Sequence, residues 1–361
     1  MKKINLFLGL SLLGTNQTWG MDPSSNLFDR PKASTKNQLI SQKWVLAKIL
    51  KGHEGAILSL AFDPKGKILA SGGDNTVRLW DIHRLAEIAI LRGHTEDCIK
   101  SLAFDSREQL ASCSYDKTVR LWDIATTQEK AVLVGHENEV TAVTFCAESI
   151  LASGDSDGII RLWDMRTKES ISILSAIENV HSIAWDKHRT VLASGVRNGI
   201  ICFWDIRTGK PLLKIDTQSY MPPKSEKWLH TMTLNPSGSI VTSSTGDHAV
   251  TSWDSTNGKR LERFYVDRGD ELLTHQVASM AFGSEHVLIT GSRDKAVHLW
   301  DIRDNYLKPF SGERYYEQTL HGHKGWVNTV AFDANRKLIA SGSTDKTICL
   351  WQPKDQESNH E

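Results

Sequence analysis

The chain has no excess charge of either sign: its 361 residues carry 43 Lys and Arg against 43 Asp and Glu. That balance gives no support for a nucleic-acid footprint, which needs a basic domain or stripe. Local patches stay open. Long apolar runs are missing too. The one near the N-terminus, Ile4 to Leu13, is too short to cross a membrane as a helix. Cysteine is scarce: Cys98, Cys113, Cys146, Cys202 and Cys349, an odd number with no CxxC spacing. A disulfide framework and a structural zinc site are thereby disfavoured. All five fall in or beside expected strands, where a reduced Cys acts as a small hydrophobe. HExxH, a phosphate loop and a dinucleotide fingerprint are absent from the sequence. A helical apolar period is absent as well.

What the chain does have is a repeat. Six times Trp is followed by Asp: Trp80-Asp81, Trp122-Asp123, Trp163-Asp164, Trp204-Asp205, Trp253-Asp254 and Trp300-Asp301. A seventh copy, Trp351-Gln352, keeps the Trp and loses the acid. Seven residues before the second member of each pair stands a turn residue: Asp74, Asp116, Asp157, Asn198, Asp247, Asp294 and Asp345. A unit recurring every 40 to 50 residues or so means one supersecondary element stacked many times.

The first unit runs Gly52-His53, Ile57 to Phe62, Ile68 to Gly72, Asp74 and Thr76 to Asp81. A further run, Ile88 to Leu91, leads into the next Gly-His. Short runs rich in Ile, Leu and Val, bounded by Gly, Pro or Asp, are strands. Each unit therefore holds four.

With these residues in register, the chain resembles the WD-repeat family of β-propellers from Trp44 to Gln352. Gly-His opens units 1, 2, 3 and 7 at His53, His94, His136 and His323, and is lost in units 4, 5 and 6. The resemblance implies an all-β, seven-bladed propeller of four-stranded antiparallel blades. It also implies a hydrogen-bonded set in each blade made from the His, a strand Ser or Thr, the turn Asp and the Trp. In unit 1 these are His53, Ser71, Asp74 and Trp80. In the other units the corresponding residues include His94, Asp116 and Trp122; His136, Asp157 and Trp163; and His323, Asp345 and Trp351. One indole donor, a ring that donates and accepts, and an acceptor-only carboxylate can satisfy one another when buried. Blades 4 to 6, without the His, are expected to be looser.

The last unit stops three strands in. Trp44 to Leu50 precedes Gly52-His53 as Ile88 to Leu91 precedes Gly93-His94, so this N-terminal strand is expected to complete the last blade and close the ring. Residues 1–20 read as a secretory signal peptide: a Lys pair, an apolar core, then small residues at Thr18 and Gly20. The alternative is that Met21 is the start and the product stays in the cytoplasm. Export into a reducing space would reconcile a leader with free thiols; uncleaved full-length protein in the cytoplasm would remove that idea. Residues 21–43 read as a flexible linker, 44–352 as the propeller and 353–361 as a polar tail.

Two motifs look chemical. Gly154-Asp155-Ser156-Asp157-Gly158 matches a nucleophile elbow, which requires strand, turn and helix. Here another strand is expected to follow, so the motif reads as a turn. Asp155 and Asp157 also resemble part of a calcium loop, but no ligand series with a closing Glu follows. No catalytic residue, metal or cofactor is assigned.

By resemblance to the family, three positions per unit point onto the top face. Two flank the first apolar residue of the inner strand and one precedes the turn residue. This set contains Trp228, Trp326, Tyr115, Arg197, Arg293, His230 and Lys100. Trp, Tyr and Arg most often dominate interface energy. For any single one, packing against a neighbouring loop is an equal reading. The function expected is a non-catalytic scaffold, a monomeric propeller binding a protein or peptide of acidic character. Nucleic acid and a membrane span are not expected. An alternative rests on Arg166, Arg207 and Arg303, which follow Trp-Asp at a spacing that contacts the adaptor in WD-repeat receptors of cullin-type ubiquitin ligases; an exported bacterial effector could use it. The plainer reading makes them solvated turn residues. An enzyme at the channel mouth would need convergent acid, base or metal residues.

Overall fold

The structure, a computed structural model, describes residues 38–96, 98–147, 149–220, 228–265, 276–302 and 316–354. The expected signal peptide, nearly all of the expected linker, Arg303 and the tail beyond 354 lie outside the described residues. The described residues form seven four-stranded antiparallel sheets. Blade 1 is built from Ser59–Phe62, Ile68–Gly72, Thr76–Asp81 and Ala86–Arg92, in that order from the inside outward. Its two middle strands are buried almost throughout, whereas Ala86–Arg92 is mostly open to water. The sequence reflects this. Ile68–Gly72 reads as unbroken apolar and small residues, Thr76–Asp81 adds a buried Arg78 to its apolar residues, and the outer strand mixes Glu and Arg with its aliphatics.

The innermost strands are Ser59–Phe62, Ile99–Phe104, Val140–Ala147, Val180–Asp186, Leu229–Leu234, Val277–Phe282 and Val327–Asp333. Each touches the next, and the last returns to the first, so the sheets close into a ring. The core is divided among the junctions between blades. At the junction of blades 7 and 1, Leu50, Ile57, Leu69 and Trp80 pack on Leu338, Ala340, Ile348 and Leu350. Each repeat Trp packs into the junction with the preceding blade: Trp122 lies among Ala70, Val77 and Leu79, and Trp351 among Val287, Val297 and Leu299. Removing such a side chain costs about 3–5 kcal/mol.

The ring closes as the sequence implied. Trp44–Lys51 pairs antiparallel with Thr347–Pro353, from Trp44 opposite Pro353 to Lys51 opposite Thr347. Closure begins slightly earlier than the linker boundary at residue 43. Gln38–Ser41 forms one helical turn that buries Leu39 and Ile40 at the junction of blades 6 and 7. The Trp44 indole donates to the Leu39 carbonyl at 2.8 Å, and the Gln318 amide donates to the carbonyls of Ile40 and Gln42 at 2.8 and 2.6 Å. Four of the cysteines are buried and none of the five is in a disulfide. Burial pushes the Cys349 thiol up to about 12 and Cys202 to about 11. They pack as apolar side chains.

Candidate functional site

The repeated polar residues meet in blades 1, 2 and 7 as the family resemblance implied. In blade 1 the Trp80 indole donates to Ser71 Oγ at 2.8 Å, and His53 sits 2.7 Å from that oxygen and 3.0 Å from Asp74. Because the carboxylate only accepts, His53 Nδ1–H donates to Asp74 and the Ser71 hydroxyl donates to Nε2. Blade 2 repeats this with His94, Asp116, Ser112 and Trp122, and blade 7 with His323, Asp345, Ser341 and Trp351. Burial alone would raise the Asp345 carboxyl, but hydrogen bonds from Thr347 and the Lys324 amide, with the nearby His323, hold it down to about 2.

This Ser-His-Asp order resembles a hydrolytic triad. Ser71, Ser112, Ser153 and Ser341 are each 0% exposed, so no acyl group can reach them. Each hydroxyl oxygen is also occupied by an indole N–H. The arrangement fastens strands together. The Gly154–Gly158 motif likewise joins two strands, Ile150–Asp155 and Ile159–Asp164, with no helix behind it.

Blade 3 departs from the expected register. His136 bonds Asp155 at 2.6 Å, not Asp157. Asp155 also accepts the amides of Asp157 and Ile159 at 3.0 and 2.9 Å. Asp157 is exposed and its carboxylate takes the Asn138 amide at 2.9 Å. Two acids lie two residues apart in this turn, and the buried one captures the ring N–H because it also caps the turn.

The blades without Gly-His differ from one another. In blade 6, Asp294 is held by His298 at 2.7 Å, a histidine from the blade's own third strand. In blade 5, Asp247 is paired with Arg263 from the outermost strand. Blade 4 has neither acid nor replacement partner, and Asn198 Oδ1 is buried without a hydrogen bond. The Trp anchors persist in all three, through Ser194, Ser243 and Thr290 at 2.8, 3.0 and 2.9 Å.

The three expected face positions of each blade come together at one end of the ring. The amides of Tyr115, Arg197, Arg293 and Thr344 donate to the carbonyls of Cys98, Asn179, Gln276 and Trp326 at 3.3, 2.9, 3.0 and 2.9 Å. The named candidates are paired there. The Arg197 guanidinium lies 4.4 Å from the Trp228 ring centre, and Arg293 lies 4.8 Å from that of Trp326. Lys100 Nζ lies 5.6 Å from the Tyr115 ring centre. Trp228 and Trp326 remain 43% and 47% exposed. His230 is bonded to Gln276. Burial and the neighbouring His181, Arg293 and His248 lower His230 to about 4. His181 is open to water yet surrounded by protein; that burial, with Lys100 and Arg197, lowers it to about 4 as well.

Two further apolar side chains on this face escaped the family positions. Val134 and Ile177 are 73% and 72% exposed in the loops just before the inner strands of blades 3 and 4. Alternation within strands gives no information about such loop residues. Arg166 and Arg207, the adaptor candidates, turn back on Asp164 and Asp205 at 3.3 and 3.7 Å, as solvated turn residues do. No group of His, Cys, Asp and Glu suited to a metal occurs among the described residues.

Residues 56–316 match the family profile described as the IFT122 first beta-propeller, and residues 314–352 match the WD domain, G-beta repeat. The chain belongs to the WD-repeat β-propeller family. It is 36% identical over 80 residues to a nuclear distribution protein nudF of Aspergillus terreus, covering 22% of this chain and 16% of that one. It is 41% identical over 71 residues to a nuclear distribution protein PAC1 of Tuber melanosporum, covering 20% and 14%. A guanine nucleotide-binding protein subunit beta of Oryza sativa subsp. indica matches at 34% over 117 residues, covering 31% and 27%. The chain thus spans less than a third of the length of each of these WD-repeat relatives. Propellers of this family serve generally as protein-interaction scaffolds. No helix of the described residues is long and apolar enough to cross a membrane.

Proposed function

We propose that this propeller is a non-catalytic adaptor that binds a protein or peptide on the face where the inner strands begin. The observation that carries the reading is the pairing of half-exposed Trp228 and Trp326 with Arg197 and Arg293 across blade junctions. A stacked guanidinium loses less freedom on binding than a solvated one, and the indole beneath it offers a rigid apolar surface. Both are typical of residues that dominate interfaces. Lys100, Arg197 and Arg293 supply cations beside the exposed aromatic rings of this face, which favours an acidic group on the partner. The test is affinity purification on the chain from Met21, followed by Kd measurement with the partner recovered. Trp326→Ala and Arg197→Ala should each weaken binding tenfold or more. Undiminished binding by both variants places the site on the side or the opposite end of the ring.

A further inference from the structure

The outer strands of the seven blades differ in a way the fold does not require. Each is the last strand of its sheet and has a neighbour on one side only. Native sheets guard such edges with charged residues or proline. Trp44–Lys51, Ala86–Arg92, Gln128–Leu133, Lys210–Asp216, Arg260–Tyr265 and Tyr316–His321 each carry at least one Lys, Arg, Asp or Glu. Ser170–Ser175 of blade 3, Ser-Ile-Ser-Ile-Leu-Ser, carries no charge and no proline. Ile171 and Ile173 on it are 53% and 54% exposed. Its open side follows from the ladder. The Ala176 amide bonds the Gly158 carbonyl at 2.7 Å, and Leu174 and Ser172 stand opposite Ile160 and Leu162. Bonded and non-bonded residues alternate in an antiparallel pair. Leu174 and Ser172 therefore bond inward, and Ile173 and Ser175 turn their N–H and C=O groups outward.

Blade 3 also lacks an acid that its two predecessors have. In blades 1 and 2 the third-strand Arg78 and Arg120 pair with Glu87 and Glu129 of the outer strand. Those glutamates stand opposite Trp80 and Trp122, and the residue opposite Trp163 is Ser170. Arg161, partly exposed, reaches the Ser170 hydroxyl at 3.4 Å and makes no ion pair with a described residue. The carboxylates nearest along the chain do not offset it. Asp155 holds His136 and two amides, Asp164 holds Arg166, and exposed Glu137 and Glu169 do not pair with it. Arg161 stands opposite Ile173, on the same side of the sheet. These features select the occupant. An open ladder takes another strand, whereas a helix has no free N–H and C=O row to offer it. Exposed Ile favours aliphatic side chains on that strand. The guanidinium favours a carboxylate, in the space that Ser170 leaves where blades 1 and 2 place Glu. A second copy of Ser170–Ser175 would bring a strand but no acid.

We propose that the outer edge of blade 3 takes up an extended segment of a partner protein as an added strand: the segment bonds the main chain of Ile173 and Ser175, packs aliphatic side chains on Ile171 and Ile173, and brings a carboxylate to Arg161. This site lies on the side of the ring. It is separate from the face that carries Trp228 and Trp326 and does not depend on it.

The test uses the full chain and three fluorescent, end-blocked peptides of about nine residues that alternate Val and Thr, with Glu, Thr or Lys at the centre. Fluorescence anisotropy should show the Glu peptide binding about fivefold more tightly than the Thr peptide, the range of one partly exposed ion pair, and the Lys peptide more weakly than both. Arg161→Gln should erase the preference for Glu over Thr. Ile173→Lys, which gives this edge a charge of the kind the other six carry, should weaken every peptide about tenfold or more. It should leave the melting temperature unchanged, because that side chain is 54% exposed. Trp326→Ala and Arg197→Ala should leave peptide binding unchanged. No binding up to about 1 mM, equal binding of the Glu and Lys peptides, or parent-like binding by Ile173→Lys overturns the edge site. Peptide binding lost in Trp326→Ala also overturns it and leaves the face as the interaction surface. A chain that sediments as a dimer, and as a monomer after Ile173→Lys, shows that a second copy occupies the edge and overturns the partner strand.

Discussion

Spacing alone assigns the blade 3 acid to Asp157, and the structure assigns it to Asp155, so the two can be separated by a pair of substitutions. Asp155 is 2% exposed and accepts from the His136 ring and from two backbone amides. In Asp155→Ala all three donors lose their acceptor, and the His136 ring N–H is left in a pocket closed to water. Removing one member of such a buried set costs about 3–5 kcal/mol. Asp157 is exposed and its carboxylate holds one exposed amide, from Asn138. Asp157→Ala should cost no more than about 0.5 kcal/mol. For a chain of this size, each kcal/mol shifts melting by roughly 2 °C. Scanning calorimetry should therefore find Asp155→Ala melting about 6–10 °C lower and Asp157→Ala within about 1 °C of the parent. An Asp157→Ala loss equal to or larger than that of Asp155→Ala would refute the assignment and restore the register read from spacing.

Hydrogen exchange should rank the irregular blades. The loss of Gly-His alone makes blades 4, 5 and 6 equally loose, but Asp247 with Arg263 and Asp294 with His298 restore a bonded turn in two of them. Amides of Val191–Val196 and Ile200–Asp205 should exchange faster than their counterparts in blades 5 and 6; equal protection in all three contradicts this. Deleting Trp44–Lys51 should abolish cooperative melting and produce aggregates, because Thr347–Pro353 becomes an open edge and Trp44 and Leu50 leave the core. A truncated chain that stays monomeric with the parent melting temperature would show that closure lies elsewhere.

Much of this was legible because a blade repeats one environment. A Trp that must fill the junction with the preceding blade recurs wherever a blade does, so seven Trp in register announce seven junctions. The closing strand was legible for the same reason: the last blade is one strand short, and a matching run precedes the first. The face positions were legible only as positions. That Arg197 would stack on Trp228, or Arg293 on Trp326, depends on how one blade leans on the next. Val134 and Ile177 were missed because they occupy loops, where no period constrains them.

The sequence by itself determined the number of blades, their strands and the way the ring shuts, since these follow from a pattern of burial written seven times along the chain. Only the tertiary structure decided which polar groups satisfy one another. Arg263 reaches Asp247 from a strand that becomes a neighbour on folding, His298 turns back on the acid four residues before it, and Asp155 outcompetes Asp157 because it alone is buried against His136. A hydrogen bond depends on distance and desolvation in the folded chain, and spacing along the sequence fixes neither.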